Sequence, residues 1–256
     1  MNKEEFENNF GCTRIDRSKI SNIINQQKYT QLIALLNTSC CGWEIKKEKI
    51  KDIRERAIQE RLIQPNEKLV KKSLEAIFQE LKNELRTELD EQQKGKCFFC
   101  KTILHRNEHN SDRHLEHFKP KNIFPDKTVS DNNLILSCIS CNFSKVGLYR
   151  DYENRWVHPY NDNYHEHIEI DYFILKPINN SEKAKNMISE LCLNDYDKVA
   201  NRFSNEKNHL ERALKKTGIP QNNIDFIINK MDECYYSNLC YLKDSVEINQ
   251  ETEDCR

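Results

Sequence analysis

The sequence predicts a mainly helical α+β fold in which helical flanks enclose a small, zinc-stapled centre. Three observations carry this. Apolar residues recur at helical spacing before residue 93 and again after about residue 172. Between residues 96 and 150 that periodicity is lost, and Cys, His, Asn and Pro become dense. The same stretch holds two CxxC pairs, Cys97/Cys100 and Cys138/Cys141. The 256 residues divide accordingly into an N-terminal helical region (1–93), a core with a return segment (94–171) and a C-terminal helical region with an acidic tail (172–256).

In the first region, Ile20, Ile23 and Ile24, then Leu32, Ile33, Leu35 and Leu36, fall at mostly helical spacing before "TSCCG" breaks the run. Ile50, Ile53 and Ala57 mark one face of a heavily charged helix, and Asn66 after Pro65 is a candidate N-cap. Leu74, Ile77, Phe78, Leu81, Leu85 and Leu89 give the clearest helix, which should stop near Gly95. In the centre, "RHLEHF" and "NLILSC" read as strands and "CNFSKVGLYRDY" opens a helix. Helices return with "SEKAKNMISELCL", capped by Ser181, then "VANRFSNEKNHLERALKK", stopped by "TGIP", and "NNIDFIINKMDECYYSNLCYL".

Composition narrows the function. Five glycines, with no GxGxxG and no Walker lysine loop, leave a Rossmann or ATPase reading without support. No apolar run approaches the roughly 20 residues of a membrane span, so no membrane partner is expected. The polar, acidic start is wrong for a secretory signal, which places the chain in the cytoplasm. Thiols stay reduced there, so the 11 cysteines are not expected to form a disulfide framework. Cys12, Cys40, Cys41, Cys192, Cys234, Cys240 and Cys255 show no ligand spacing and read as core or surface thiols. Lys94 to Arg150 holds ten Lys or Arg against five Asp or Glu, in a chain of net charge −1. A basic middle between neutral and acidic flanks fits a phosphate-binding site, or simply a lysine-coated polar domain.

One CxxC alone would suit a redox dithiol, and thiolate sets also hold iron–sulfur clusters. Two pairs point to structural Zn²⁺, which takes four thiolates without directional demand. Thirty-seven residues separate Cys100 from Cys138, where a zinc ribbon usually has about 15–20. A zinc tying the ends of that excursion would make it rigid enough to hold a catalytic geometry.

The excursion reads CxxC, Glu-His-x-x-Pro, Asn-Leu, CxxCN and a lysine. This pattern resembles the HNH nucleases, whose active site is a ββα-metal motif. Asn142 stands where that family often has histidine and keeps an oxygen donor. Over roughly residues 85–200, "LDEQQKGKCFFC", "LEHFKPK", "NLILSCISCNFSK", "HPYNDNYHEHIEI" and "SEKAKNMISELCLN" are similar to the PtuB-like nuclease subunits of Septu and retron-associated antiphage systems. The resemblance implies a metal-dependent endonuclease on DNA, with RNA not excluded, beside an ABC/SMC-like ATPase of the PtuA kind.

Phosphodiester hydrolysis needs an activated water, a cation on the departing oxygen and a fixed phosphate. His117 is the candidate general base, with His114 its rival. Glu116 and Asn142 are candidate ligands of catalytic Mg²⁺ or Mn²⁺. On a strand Glu116 points away from His117, so it serves the metal only if the strand end twists. Asn133 is expected to fix the loop that carries His117, and Lys119, Lys121 and Lys145 to meet phosphate. Plainer roles stand beside these: a structural histidine, a surface acid, a helix cap, solvated lysines. His105 and His109 read as surface residues. Trp156, Tyr160 and Tyr164 would stack on bases or, more simply, pack a return segment onto the centre. The non-enzymatic alternatives are a four-cysteine zinc module that binds nucleic acid without cutting, and a protein scaffold. The flanks are expected to dock on the partner.

Overall fold

A computed structural model describes Glu4 and residues 14–38, 71–104, 113–145 and 152–246. The charged helix around Ile50–Ala57, the Asn66 cap, His105, His109, Cys12, Cys40, Cys41, Cys255 and the acidic tail lie outside the described residues.

The first helical run is two helices, α1 (Arg17–Ile24) and α2 (Gln27–Thr38). Asp16 caps α1 by accepting from the Ser18 N–H. The break at Asn25 lets both helices lie against α3 (Lys71–Gln93). Phe78, Leu81, Leu85 and Leu89 form the buried stripe of α3. Lys94 (φ 52°) and Gly95 (φ 69°) end it in left-handed conformation, with Gly95 N–H returning to Asp90 O at 2.9 Å.

The centre is strand, long loop, strand, helix. β1 (His114–His117) pairs antiparallel with β2 (Leu134–Ser137), with Glu116 opposite Ile135 and His117 opposite Leu134. A short 3₁₀ turn (Pro125–Lys127) lies in the loop, and α4 (Ile139–Lys145) follows β2 and packs on β1. After the short helices α5 (Tyr152–Arg155) and α6 (Tyr164–His167), a hairpin of β3 (Ile168–Asp171) and β4 (Ile174–Pro177) leads to α7 (Glu182–Glu190). α8 (Tyr196–Lys216) and α9 (Gln221–Val246) then pack on each other, and Gly218 (φ 75°) makes the turn between them.

One apolar core runs from Ile15 to Leu193 and includes Phe98, Phe99, Phe118, Leu134, Leu136 and Trp156. A second, small cluster of Ile174, Val199, Phe203 and Tyr235 holds β4, α8 and α9 together. The centre thus shares its core with α1–α3 and α7 and is built into the surrounding helices. No described helix is long and apolar enough to cross a membrane.

Candidate metal centre and adjoining polar site

Each CxxC pair is a turn that aims two sulfurs at one point. Cys97 N–H donates to Thr102 O (2.9 Å) and Lys101 N–H returns to Cys97 O (3.0 Å), with Lys101 itself at φ 60°. The second pair is the mouth of α4, where Cys141 N–H faces Cys138 Sγ at 3.4 Å. Gln93 ties the two together. Its side chain accepts from Leu136 N–H (2.9 Å) and donates to Leu136 O (2.9 Å) and Lys96 O (2.8 Å).

The four sulfurs lie within 4.8 Å of one another. Cys100 and Cys138 sulfurs are 3.7 Å apart. A tetrahedron of Zn–S bonds of about 2.3 Å has an edge of about 3.8 Å, so the set fits a metal such as zinc. Burial pushes the Cys97 and Cys141 thiols up, while hydrogen bonds from Cys138, then Cys141 and Cys97, hold Cys100 down. Four thiolates around a divalent ion would carry net negative charge, and buried cations lie beside the four sulfurs. Arg202 donates to Cys100 O (3.2 Å), and Lys198 and Arg202 both feel Cys100 and Cys141 electrostatically. Lys96, beside the first knuckle, pairs with Glu206 of α8. The four predicted ligands therefore converge. Among the other cysteines, Cys234 is exposed and in no disulfide, but Cys192 is disulfide-bonded, which the expectation of reduced thiols did not include.

The adjoining site is built on β1, whose alternation puts Leu115 and His117 on the buried face and His114 and Glu116 on the other. His117 is 2% exposed. Its Nε2 lies 2.9 Å from Thr128 O, which only accepts, so neutral His117 carries its proton there. Burial drives its pKa down to about 4; Glu116 raises it, and Lys121 and Lys145 lower it further. Between pH 6.5 and about 4 the unfolded chain then binds a proton that the folded chain refuses. The resulting stabilisation is full above pH 6.5 and is lost as pH falls to about 4, by roughly 3 kcal/mol at most. Urea titrations across that window should show the slope in the wild type and lose it in His117→Gln.

Asn133 is 1% exposed and pins the loop that follows β1. Its Oδ1 accepts from Lys119 N–H (2.6 Å), and its Nδ2 donates to Lys119 O (3.1 Å) and Lys127 O (2.8 Å). Asn133→Ala removes these three bonds to backbone groups, at a cost of about 2–4 kcal/mol. Urea denaturation should read this as an earlier midpoint at unchanged slope. Lys119 and Lys121 are half-buried on this loop, and the Lys119 ammonium lies 5.6 Å from the Phe124 ring centre.

Glu116 does not meet Asn142 through any hydrogen bond among the described residues. It meets Lys145, whose Nζ lies 3.0 Å from Glu116 Oε2 and also donates to the His117 main-chain carbonyl. Lys145 is 6% exposed, and burial lowers its pKa against the pull of Glu116. Asn142 is half-buried one turn earlier on the same face of α4. His114 is half-buried at the other end of β1. The return segment packs inward. Trp156, His158, Tyr160 and Tyr164 are buried, Tyr164 OH donates to Phe99 O (2.7 Å), and His158 stacks edge-on at 4.8 Å from Phe118. These aromatics form core and do not face a base.

Two positioning residues escaped the sequence reading. Asn37 of α2 accepts from Val129 N–H (2.8 Å) and donates to Val129 O (3.2 Å), clamping the loop next to the Thr128 carbonyl that orients His117. Gln93 is the other. Each acts on backbone far along the chain, 92 residues away for Asn37, and neither belongs to a motif.

Over 109 residues the chain is 30% identical to Septu protein PtuB of Bacillus thuringiensis. The matched stretch is 43% of this chain and spans 40% of the length of that relative, and it supports a PtuB-like relationship. No protein-family model matches the chain, and no solved structure does.

Proposed function

We propose that this chain is a metal-dependent HNH endonuclease that hydrolyses phosphodiester bonds of DNA, and that it is the nuclease subunit of a Septu-type antiphage system with an ATPase partner. The observation that carries the reading is the strand–loop–strand–helix unit that follows the first cysteine knuckle and carries the second at the start of its helix, with Glu116 and His117 side by side on its first strand. Similarity to a protein named Septu protein PtuB supports the setting. The helical flanks are the proposed contact with the ATPase.

The roles follow from the residues. Thr128 O holds the His117 proton on Nε2, so Nδ1 carries the lone pair that takes a proton from the attacking water. A pKa near 4 keeps that imidazole neutral at pH 7. Asn133 and Asn37 hold the loop against which the ring is oriented. The Glu116 carboxylate and the His117 carbonyl converge on one cationic atom, Lys145 Nζ, and such hard oxygens suit Mg²⁺ or Mn²⁺, with Asn142 as a further oxygen donor. When bound, the ion would stabilise charge on the phosphate and the departing oxygen. Lys119 and Lys121 flank the site for phosphate.

The near-complete burial of His117 favours a second reading, a four-cysteine zinc module that binds nucleic acid or protein without cutting. Supercoiled plasmid incubated with the zinc-loaded chain and an ATPase partner separates the two. Nicking with Mg²⁺ or Mn²⁺, absent with a mild chelator that leaves the zinc in place, is the nuclease result. Binding with no nicking under any metal is the module result.

A further inference from the structure

We infer that Lys145 is the resident cation of the polar site, seated on the Glu116 carboxylate and the His117 main-chain carbonyl, and that a divalent metal binds there only by displacing it. The inference rests on the metal site of the proposed function and adds what holds that site closed. A lysine 6% exposed is unusual, because its charge is strongly hydrated in water and must be met by acceptors when buried. Lys145 finds two, a carboxylate oxygen at 3.0 Å and a backbone carbonyl. Both are hard oxygen donors, the type that Mg²⁺ and Mn²⁺ select, so ammonium and metal ask for the same atoms.

The placement is built into the fold. Lys145 lies one turn beyond Cys141, a member of the four-sulfur cluster, on a helix that packs against β1. A metal in the cysteine set would therefore fix where the lysine stem starts and leave its four-carbon chain as the moving part. The contact also explains how Glu116 engages a cation although its side chain points away from the His117 ring. The strand needs no twist, since it is the His117 carbonyl rather than the ring that shares the cation with Glu116. A lysine that merely fastens α4 to β1 would make the same contacts, so the test must read metal affinity and not stability.

The experiment titrates Mn²⁺ into zinc-loaded full-length protein and follows the free-ion electron paramagnetic resonance signal. Wild type, Lys145→Met, Lys145→Gln and Glu116→Gln are compared, each checked for fold by circular dichroism. Both lysine variants should bind Mn²⁺ about tenfold to hundredfold tighter than wild type, the factor that one charge-assisted hydrogen bond is worth. Glu116→Gln should bind more weakly. Two lysine variants are used so that one folded protein suffices. If they bind no tighter than wild type while Glu116→Gln still loses affinity, the metal site stands and the competition is wrong. If none of the four proteins binds Mn²⁺, the inference falls together with the metal part of the proposed function.

Discussion

Serine in place of Cys97 or Cys141 should strip the protein of zinc and lower its melting temperature by about 10–20 °C. The size follows from where the sulfurs sit. Cys97, Cys100 and Cys141 are buried members of the main core, beside Phe98, Phe99 and Trp156. Binding of structural zinc is worth about 10–16 kcal/mol in small zinc-folded peptides, as much as the whole stability of a typical domain. Losing one ligand forfeits part of that and leaves three sulfurs, two of them on buried cysteines, without a metal. A loss of about 5 kcal/mol in a chain of this size gives the stated shift. The damage should spread, because Gln93 and Phe98 N–H both bond Leu136 and so tie the knuckle to β2, while Arg202 ties Cys100 O to α8. Calorimetry with zinc content measured on the same samples checks this. Cys234→Ser, at an exposed cysteine outside the four-sulfur cluster, should change nothing beyond about 0.5 kcal/mol. Retention of zinc and melting temperature in Cys97→Ser would refute the metal assignment.

Local chemistry was legible in the sequence and tertiary partnership was not. The alternation in "HLEH" and the apolar run "LILS" marked the two strands, and the paired CxxC turns marked sulfurs that do come together. Ser181 and Gly218 marked ends that the structure keeps. The helical run read over residues 18–37 divides at Asn25 because both halves must face α3, a constraint that periodicity does not carry. Lys145 read as a solvated or phosphate-facing lysine, because composition makes buried lysine rare. Its burial follows from α4 packing on β1, which delivers an acceptor pair to its tip. Asn37 and Gln93 were silent for the same reason, since their partners are backbone atoms that only the folded chain brings near.

His117→Gln should abolish cutting, by about 10²–10⁴-fold, while leaving DNA binding in place. Glutamine is the informative substitution. Its amide N–H can still donate to the Thr128 carbonyl, so the buried acceptor keeps a partner, but an amide cannot accept a proton at neutral pH. His117→Ala removes the base as well but also leaves Thr128 O unpaired and a cavity behind β1, at a cost of about 2–4 kcal/mol, so lost activity there would be ambiguous. A structural histidine would show the opposite pattern, with Gln preserving function as well as fold.

The account turns most directly on nicking of supercoiled plasmid by wild type and His117→Gln, with Mn²⁺ and the ATPase partner present and melting temperatures measured in parallel. It predicts that the two proteins melt within a few degrees of each other and that only the wild type cuts. Equal nicking by both would contradict it, and would leave His117 as a buried anchor for the loop and the chemistry elsewhere.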